Sequence, residues 1–470
     1  MRFNKILLAS LLCIVIFAGC GKKNEDVARE VAESEAENET GTEAEIVPEN
    51  ESESDTEPVG IFVATDGNDS NTGSYSSPYA TIQKALDVVG PGETIYIREG
   101  TYTGMYEWVN SGEQYNPITI RPYKQEKVYL KGISGTDGAI FHMNNCSYIN
   151  IQGLDMGDFS SVNAFGILMD ESEHDIDIRN NLIHDIATTK PGENEGGEAN
   201  GILCIGYADS AEGAIHDINI EKNEVYNNTT GWCESVSVAG NVENVYIYDN
   251  VVHDNTNIGI DFYGNAGYCP VKELDQPRNC EAISNTVYNC ASDYAECAGI
   301  YVDGAIDTII RENNVYDCQY GIEIGAEELV EGYPVKNITV IYNFIQDNSC
   351  GGIRIGGYDA DTTGTVTDSL ISYNTLYDNG SGDGAWNGEL NIEKVDGITV
   401  KNNTFFKADT EYPMVASELD EKYVKNLTFE DNTYCGGEGG QDIYFELYGK
   451  STEGVEAFNA LTGGSDKWSL

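Results

Sequence analysis

The sequence predicts an all-β solenoid whose coils stack strand on strand in parallel. A phrase of the form Asn-x-[Val/Ile/Leu]-[His/Tyr]-[Asp/Asn] recurs, with variations, with its Asn at 181, 223, 250, 285, 313, 343, 374, 403 and 432. The intervals of 42, 27, 35, 28, 30, 31, 29 and 29 residues are too short for a helix pair and right for one solenoid coil. A second phrase runs beside it: GILM at 166, GILC at 201, GIDF at 259, GIYV at 299, GIEI at 321 and GIRI at 352, with Ser-Val at 235 and Glu-Leu at 389 filling the gaps. Both phrases alternate with period two, the mark of a strand with aliphatic side chains inward and polar ones outward. No amphipathic helix separates them, so neighbouring coils are expected to pair in parallel about 4.8 Å apart. The recurring Asn is the registration device: stacked amides donate to one rung and accept from the next, and slippage breaks the chain of bonds. Asn223, Asn250, Asn285 and Asn313 are therefore structural.

Taken in order, residues 1–19 have a basic start (Arg2, Lys5), an apolar run from Ile6 to Phe17, and Phe17-Ala18-Gly19 ahead of Cys20. The run is too short for a spanning helix and resembles a bacterial lipoprotein signal peptide, in which Cys20 becomes the lipidated first residue; an ordinary cleaved secretory signal is the alternative. Residues 20–59 are an acidic disordered linker. Residues 60–135 read as an N-terminal cap and first coils. There Ile82, Ala85, Leu86 and Val89 at helical spacing form a short helix plugging the open end of the solenoid. Asp66, Asn68, Asp69 and Asn71 form either a calcium loop or a polar capping loop. Residues 136–437 are the solenoid, ten or more coils in all. Residues 438–470 are a C-terminal cap, with a short helix at Gly454 to Leu461. Two insertions, at Ala187 to Ala199 and Tyr263 to Cys280, leave the regular coils and mark the centre of the chain as the place for a site.

The repeated phrases and the capping arrangement resemble right-handed parallel β-helix proteins, the architecture of pectate lyases, chondroitinase B and polygalacturonases. The resemblance spans about 75 to 437. It implies a carbohydrate-active protein and leaves the reaction open, because one coil architecture carries many chemistries. The Asn-Thr-Asp, Gly-His-Gly and Arg-Ile-Lys phrases of polygalacturonases are absent, Gly356 following the Ile of GIRIGG.

Composition narrows the partners. With 79 acidic and 26 basic residues in 470, the formal charge is −53. Such a chain repels nucleic acid and anionic membrane surfaces, so membrane association is expected through the lipid anchor only, outside the cytoplasm, with the protein a monomer. An anionic polysaccharide would need bound cations or a local basic patch to approach, and calcium is the cation expected. Of twelve Cys, ten follow the lipidated one, and none has the C-x-x-C spacing of a zinc site. Cys290 and Cys318 share a slot five after the recurring Asn, as a thiol ladder or a disulfide, while Cys269 and Cys280, bracketing the second insertion, are the better disulfide candidates.

Aligning the second phrase puts Ser237, Asp261, Tyr301, Glu323, Arg354 and Asn391 in one outward column, with Asp303 two residues beyond Tyr301. Stacked carboxylates repel, so Asp261, Asp303 and Glu323 either hold calcium or form a solvated acidic surface with Arg354 paired to Glu323. A second column, His184, Tyr226, His253, Tyr288, Tyr316, Gln346, Tyr377 and Phe406, reads as an aromatic stack. His184 and Tyr263, beside the insertions, are the candidate substrate contacts.

Three functions compete. In a polysaccharide lyase acting by β-elimination on a uronic-acid glycan, calcium at Asp261, Asp303 and Glu323 neutralises the substrate carboxylate, and Arg354, Tyr301, Lys272 or Arg278 serves as base or charge stabiliser. In an inverting glycoside hydrolase, Asp261 and Glu323, two rungs apart, form the acid–base pair. In a non-catalytic adhesin or glycan-binding module, the tyrosines are stacking platforms.

Overall fold

The computed structural model describes residues 59–193, 196–380, 388–407, 412–417, 419–436 and 442–469. The leader, Cys20 and the linker up to residue 58 lie outside the described residues. Three parallel sheets run along the molecule, of 15, 11 and 13 strands. Each regular coil gives one strand to each: Val242–Tyr248 to the first sheet, Val251–His253 to the third and Ile260–Tyr263 to the second. The Asn-headed phrase supplies the third sheet and the Gly-Ile phrase the second. Inward aliphatics such as Ile220, Ile247, Ile310 and Val340 stack into one continuous core.

The Asn ladder forms as the repeat predicts. The backbone N–H and the Nδ2 of Asn285 both donate to Asn313 Oδ1, at 2.9 and 3.0 Å, and the same pair of bonds links each successive Asn from 181 to 432, ending on Asp466 Oδ1. Each amide also donates to a strand carbonyl of the preceding coil, as Asn285 Nδ2 does to Ile247 O at 2.8 Å. The reason for the device is local. The residue before each ladder Asn has positive φ, even where it is Glu312 (φ 60°) or Tyr342 (φ 59°), side chains that ordinarily avoid the left-handed region. The ladder bonds hold these corners. A second left-handed residue closes the three-residue strand, which explains the Asp or Asn ending the phrase: Asp254 (φ 53°), Asn289 (φ 51°) and Asp317 (φ 54°) occupy it.

The helix Ile82–Leu86 starts at Thr81, whose hydroxyl accepts from Lys84 N–H, and the C-terminal helix spans Val455–Thr462. The Asp66–Asn71 stretch is a capping loop: Asp69 Oδ1 accepts from the N–H groups of Ala80 and Thr81 at 2.9 Å. The disulfide expectation is corrected, because all ten described cysteines are free thiols. Cys269 Sγ donates to Ala208 O and Cys280 Sγ to Arg278 O, so the thiols at the two ends of the insertion bond to different carbonyls rather than to each other. Cys290 and Cys318 are buried thiols in consecutive coils.

Candidate active site

The outward column aligns rung for rung. Ser237 pairs with Asp261, Asp261 with Tyr301, Tyr301 with Glu323, Glu323 with Arg354, and Arg354 with Asn391. Outward is not solvated, however. Asp261, Asp303 and Glu323 are 2, 3 and 5 % exposed, which corrects the reading of a solvated acidic surface. Loops from neighbouring coils fold over the sheet and leave a cleft of about 180 Å³ lined by Trp232, Glu234, Asn257, Asp261, Tyr301 and Asp303, among others.

Within the cleft the Tyr301 hydroxyl donates to Glu327 Oε1 at 3.1 Å, and Asp303 Oδ1 accepts from Glu327 N–H at 3.0 Å. Gly325, on the rung of Asp303, makes room for the tyrosine, since a Cβ there would collide with the Tyr301 hydroxyl. Two buried acceptors, Asp261 Oδ1 and Asn257 Oδ1, have no hydrogen-bond partner among the described residues. Burial is the main force on the acids and neighbouring carboxylates add to it. Asp261 and Asp303 are pushed well above the usual carboxyl range by burial first, Asp261 then by Glu234 and Asp303, and Asp303 by Glu327, Glu323 and Glu234. Glu234, partly exposed as a residue but with its carboxyl enclosed, is raised to about 7. Glu323 is also raised to about 7 by burial, with Arg354 working against the shift. Burial likewise holds the Tyr301 hydroxyl protonated, with Asp303 and Glu323 adding to it.

Arg354 lies at the edge of the row, its Nη1 3.0 Å from Glu296 Oε2 and 3.5 Å from Glu323 Oε1, with the guanidinium over the Tyr320 ring. Burial opposes its charge, but Glu323 and its other neighbours prevail and hold the proton more tightly than usual. Tyr263 lines the cleft, as placed beside the insertion. The other predicted contacts do not come together with it. His184 stacks between Tyr129 and Tyr226 on the third sheet and pairs with Asp155 and Asp185. Arg278 pairs with Glu243 at 2.8 Å beside the first sheet, and Lys272 is exposed in the insertion, outside the cleft lining. The second insertion leaves the coil at the far end of the Ile260–Tyr263 strand, so nearness in sequence to GIDF does not carry over into space. Among the described residues, no three His, Cys, Asp or Glu side chains converge to hold a metal. Asp261, Asp303 and Glu323 by themselves therefore fall short of the six to eight oxygens that calcium takes.

Glu234, Glu327 and Trp232 are the cleft residues that sequence reasoning missed. They sit on loops flanking the Gly-Ile strands, where no repeat spacing marks them. Trp232, 46 % exposed, stacks at a tilt on Tyr294 at the cleft wall.

Fold and cleft together define the class, a right-handed parallel β-helix of the pectate-lyase-like, carbohydrate-active type. The chain belongs to the Pel9A-like family: the family model described as "Pel9A-like, right handed beta helix region" matches residues 61–308. It is 34% identical over 362 residues to the uncharacterized protein YwoF of Bacillus subtilis (strain 168), covering 74% of this chain and 73% of that one. It is 30% identical over 111 residues to the pectate lyase PEL9 of Emericella nidulans, covering 20% of this chain and 27% of that protein. The structure of the GH136 lacto-N-biosidase from Eubacterium ramulus superposes with a TM-score of 0.51 at 14% identity, over 80% of this chain and 67% of that one, a likeness of fold alone.

Proposed function

We propose that the protein is a polysaccharide lyase that cleaves a uronic-acid-containing glycan by β-elimination at this cleft. The observation that carries the reading is the Tyr301–Glu327 hydrogen bond set among buried, proton-holding acids. Glu327 takes the proton from C5 of the uronate. The C–H electron pair forms the C4–C5 double bond, the C4–O bond breaks, and the departing oxygen takes the Tyr301 proton. Glu327 then returns its proton to Tyr301 across their hydrogen bond, so the cycle closes without an outside acid. Asp261 and Asp303, whose burial favours the protonated form, donate to the substrate carboxylate and offset its charge, while Trp232 offers a face for a sugar ring. In this reading Arg354 fixes Glu323 electrostatically rather than acting as base. The kinship with a family that includes a pectate lyase supports the substrate class.

Calcium enters this proposal on one observation, the buried and unpartnered Asp261 Oδ1. Asp261 and Asp303 would hold the ion, the glycan's own carboxylate would complete the oxygen set, and bound calcium would supply further charge neutralisation. A second reading, inverting hydrolysis, is favoured by Glu323 being raised to about 7, where a general acid works best. The test is incubation with a panel of polyuronates and neutral glycans, following absorbance of unsaturated products and reducing ends. Absorbance on polyuronates is expected. Reducing ends without it would replace elimination by hydrolysis, and neither would leave a glycan-binding module.

A further inference from the structure

A chain of charge −53 that works on a polyanion needs a place where its own field is reversed. One stands out at the N-terminal end. A groove of about 330 Å³ runs along the turns between the first and third sheets, lined by Arg121, Lys124, Gln125, Glu126, Gln152 and Asn180, together with Pro122 and Gly153. The solenoid sets its geometry. Gln152 pairs with Arg179 and Ile120 with Ile151, so Arg121, Gln152 and Arg179 fall on three consecutive rungs of the first sheet. They repeat a donor about every 4.8 Å along the axis.

The charges in the groove do not cancel. Among the described residues, neither Arg121 nor Lys124 makes a salt bridge, and Lys124 acts on Glu126 only through a weaker charge interaction than Arg98 does. Glu126, the one carboxylate in the lining, is taken by Arg98, whose Nε donates to both of its oxygens at 3.0 and 2.8 Å. Arg179 pairs through Nη2 with Asp177, but its Nε is buried with no acceptor. Beside the lining residues, Tyr123 lies under Lys124 Nζ, and Tyr96, on the rung of Arg121, packs edge-on against Tyr123. Cationic forks, amide donors and ring faces are the chemistry that recognises a chain of sugar carboxylates. The patch ends one rung on, where Arg179 meets Glu221.

We propose that this groove is a second glycan subsite, remote from the cleft, that holds the carboxylate groups of a polyuronate by Arg121 and Lys124. It takes its substrate class from the lyase reading, but it concerns binding and requires no cleavage. The test is affinity electrophoresis of the full chain through gels containing polygalacturonate, alginate or a neutral glucan, for the wild type and for Arg121→Ala/Lys124→Ala. The wild type should be retarded by a polyuronate and not by the glucan, less so as salt rises. The double variant should lose about tenfold in affinity, Arg121→Lys/Lys124→Arg should keep most of it, and the melting temperature should not change. Retardation by neither polyuronate, or equal retardation of wild type and double variant, would overturn the subsite. Loss of retardation in the double variant alongside a wild type that yields no unsaturated product would instead retain the subsite and sink the lyase.

Discussion

Two columns of polar side chains run through this molecule, and they differ in how completely they are satisfied. In the Asn ladder of the third sheet every amide between 181 and 432 donates to the next rung and to a carbonyl behind it. In the row on the second sheet Asp261, Asp303 and Glu323 are buried as deeply, yet Asp261 Oδ1 is orphaned and the acids push one another's pKa upward. A satisfied column stabilises the fold; an unsatisfied one costs stability and persists where function uses it. The lesson is that burial of polar groups separates structure from chemistry only once their partners are counted. A third column falls between the two. Asn228 and Asn255 start a second ladder that Cys290 and Cys318 interrupt, Asn348 and Asn379 resume and Glu389 ends.

The largest effect is expected from breaking the satisfied column. Asn313→Ala leaves the backbone N–H of Asn285 and one of its two Nδ2 hydrogens without an acceptor in the interior, the other keeping Ile247 O, and should lower unfolding free energy by about 3 kcal/mol, read from the guanidinium midpoint. Almost as large, and opposite in kind, is the effect of Tyr301→Phe or Glu327→Gln. Turnover on a polyuronate should fall about 10²- to 10⁴-fold while the denaturation midpoint stays put. If both variants keep their activity, the Tyr301–Glu327 proton cycle is wrong. Asp261→Ala, which removes the donor facing the substrate, should lower turnover sharply and leave stability little changed, because the carboxyl it removes is buried with an unpartnered oxygen. Asp261→Asn, which keeps a neutral donor there, should retain more activity than Asp261→Ala; a loss of several kcal/mol in Asp261→Ala would place Asp261 among the structural residues instead.

How much of this was readable beforehand follows from what repeats. The ladder and the acidic row were legible because both come from counting rungs, and the registers Asp261 to Tyr301 to Glu323 obey the count. Burial of the row was not legible. Alternation assigns Asp261 to the outer face, and only the fold reveals that loops carrying Trp232, Ala295 and Glu296 enclose that face. Glu234 and Glu327 escaped for the same reason, since loop residues carry no period. His184 and Arg278 were drawn in by their nearness to insertions, whereas the coil turns a corner between sheets and carries them away from the cleft.

A smaller and graded difference between the columns appears with pH. Glu234 and Glu323 are raised to about 7 in the folded chain, above an ordinary carboxyl near 4.5. The folded state therefore binds more protons than the unfolded one between those values, and stability must fall as pH rises through that window. Among the histidines, His142 is raised to about 9, chiefly by its hydrogen bond to Asp170, and its contribution is lost in the same direction between 6.5 and 9. The midpoint should accordingly drop between pH 5 and pH 8, and Glu323→Gln should flatten the profile while Asn313→Ala merely shifts it down. A wild-type profile that rises with pH would mean that these acids are ionised in the fold.

The smallest expected signal tests calcium. Among the described residues the three acids of the row do not converge into a metal-holding group, and burial pushes Asp261 and Asp303 toward the protonated form, with which an ion would have to compete. Calcium alone should therefore give little heat when titrated into chelator-stripped protein near pH 6. Raising the pH to 8 or adding a uronate oligosaccharide should increase it, the first by freeing carboxylate oxygens and the second by supplying them. Asp303→Asn should remove the increment in both cases, because it takes away a charge without altering the rung register. Strong binding without oligosaccharide at pH 6 would mean that the row holds the ion unaided, whereas equal heats for wild type and Asp303→Asn under every condition would remove calcium from this row and leave charge neutralisation to its protonated acids.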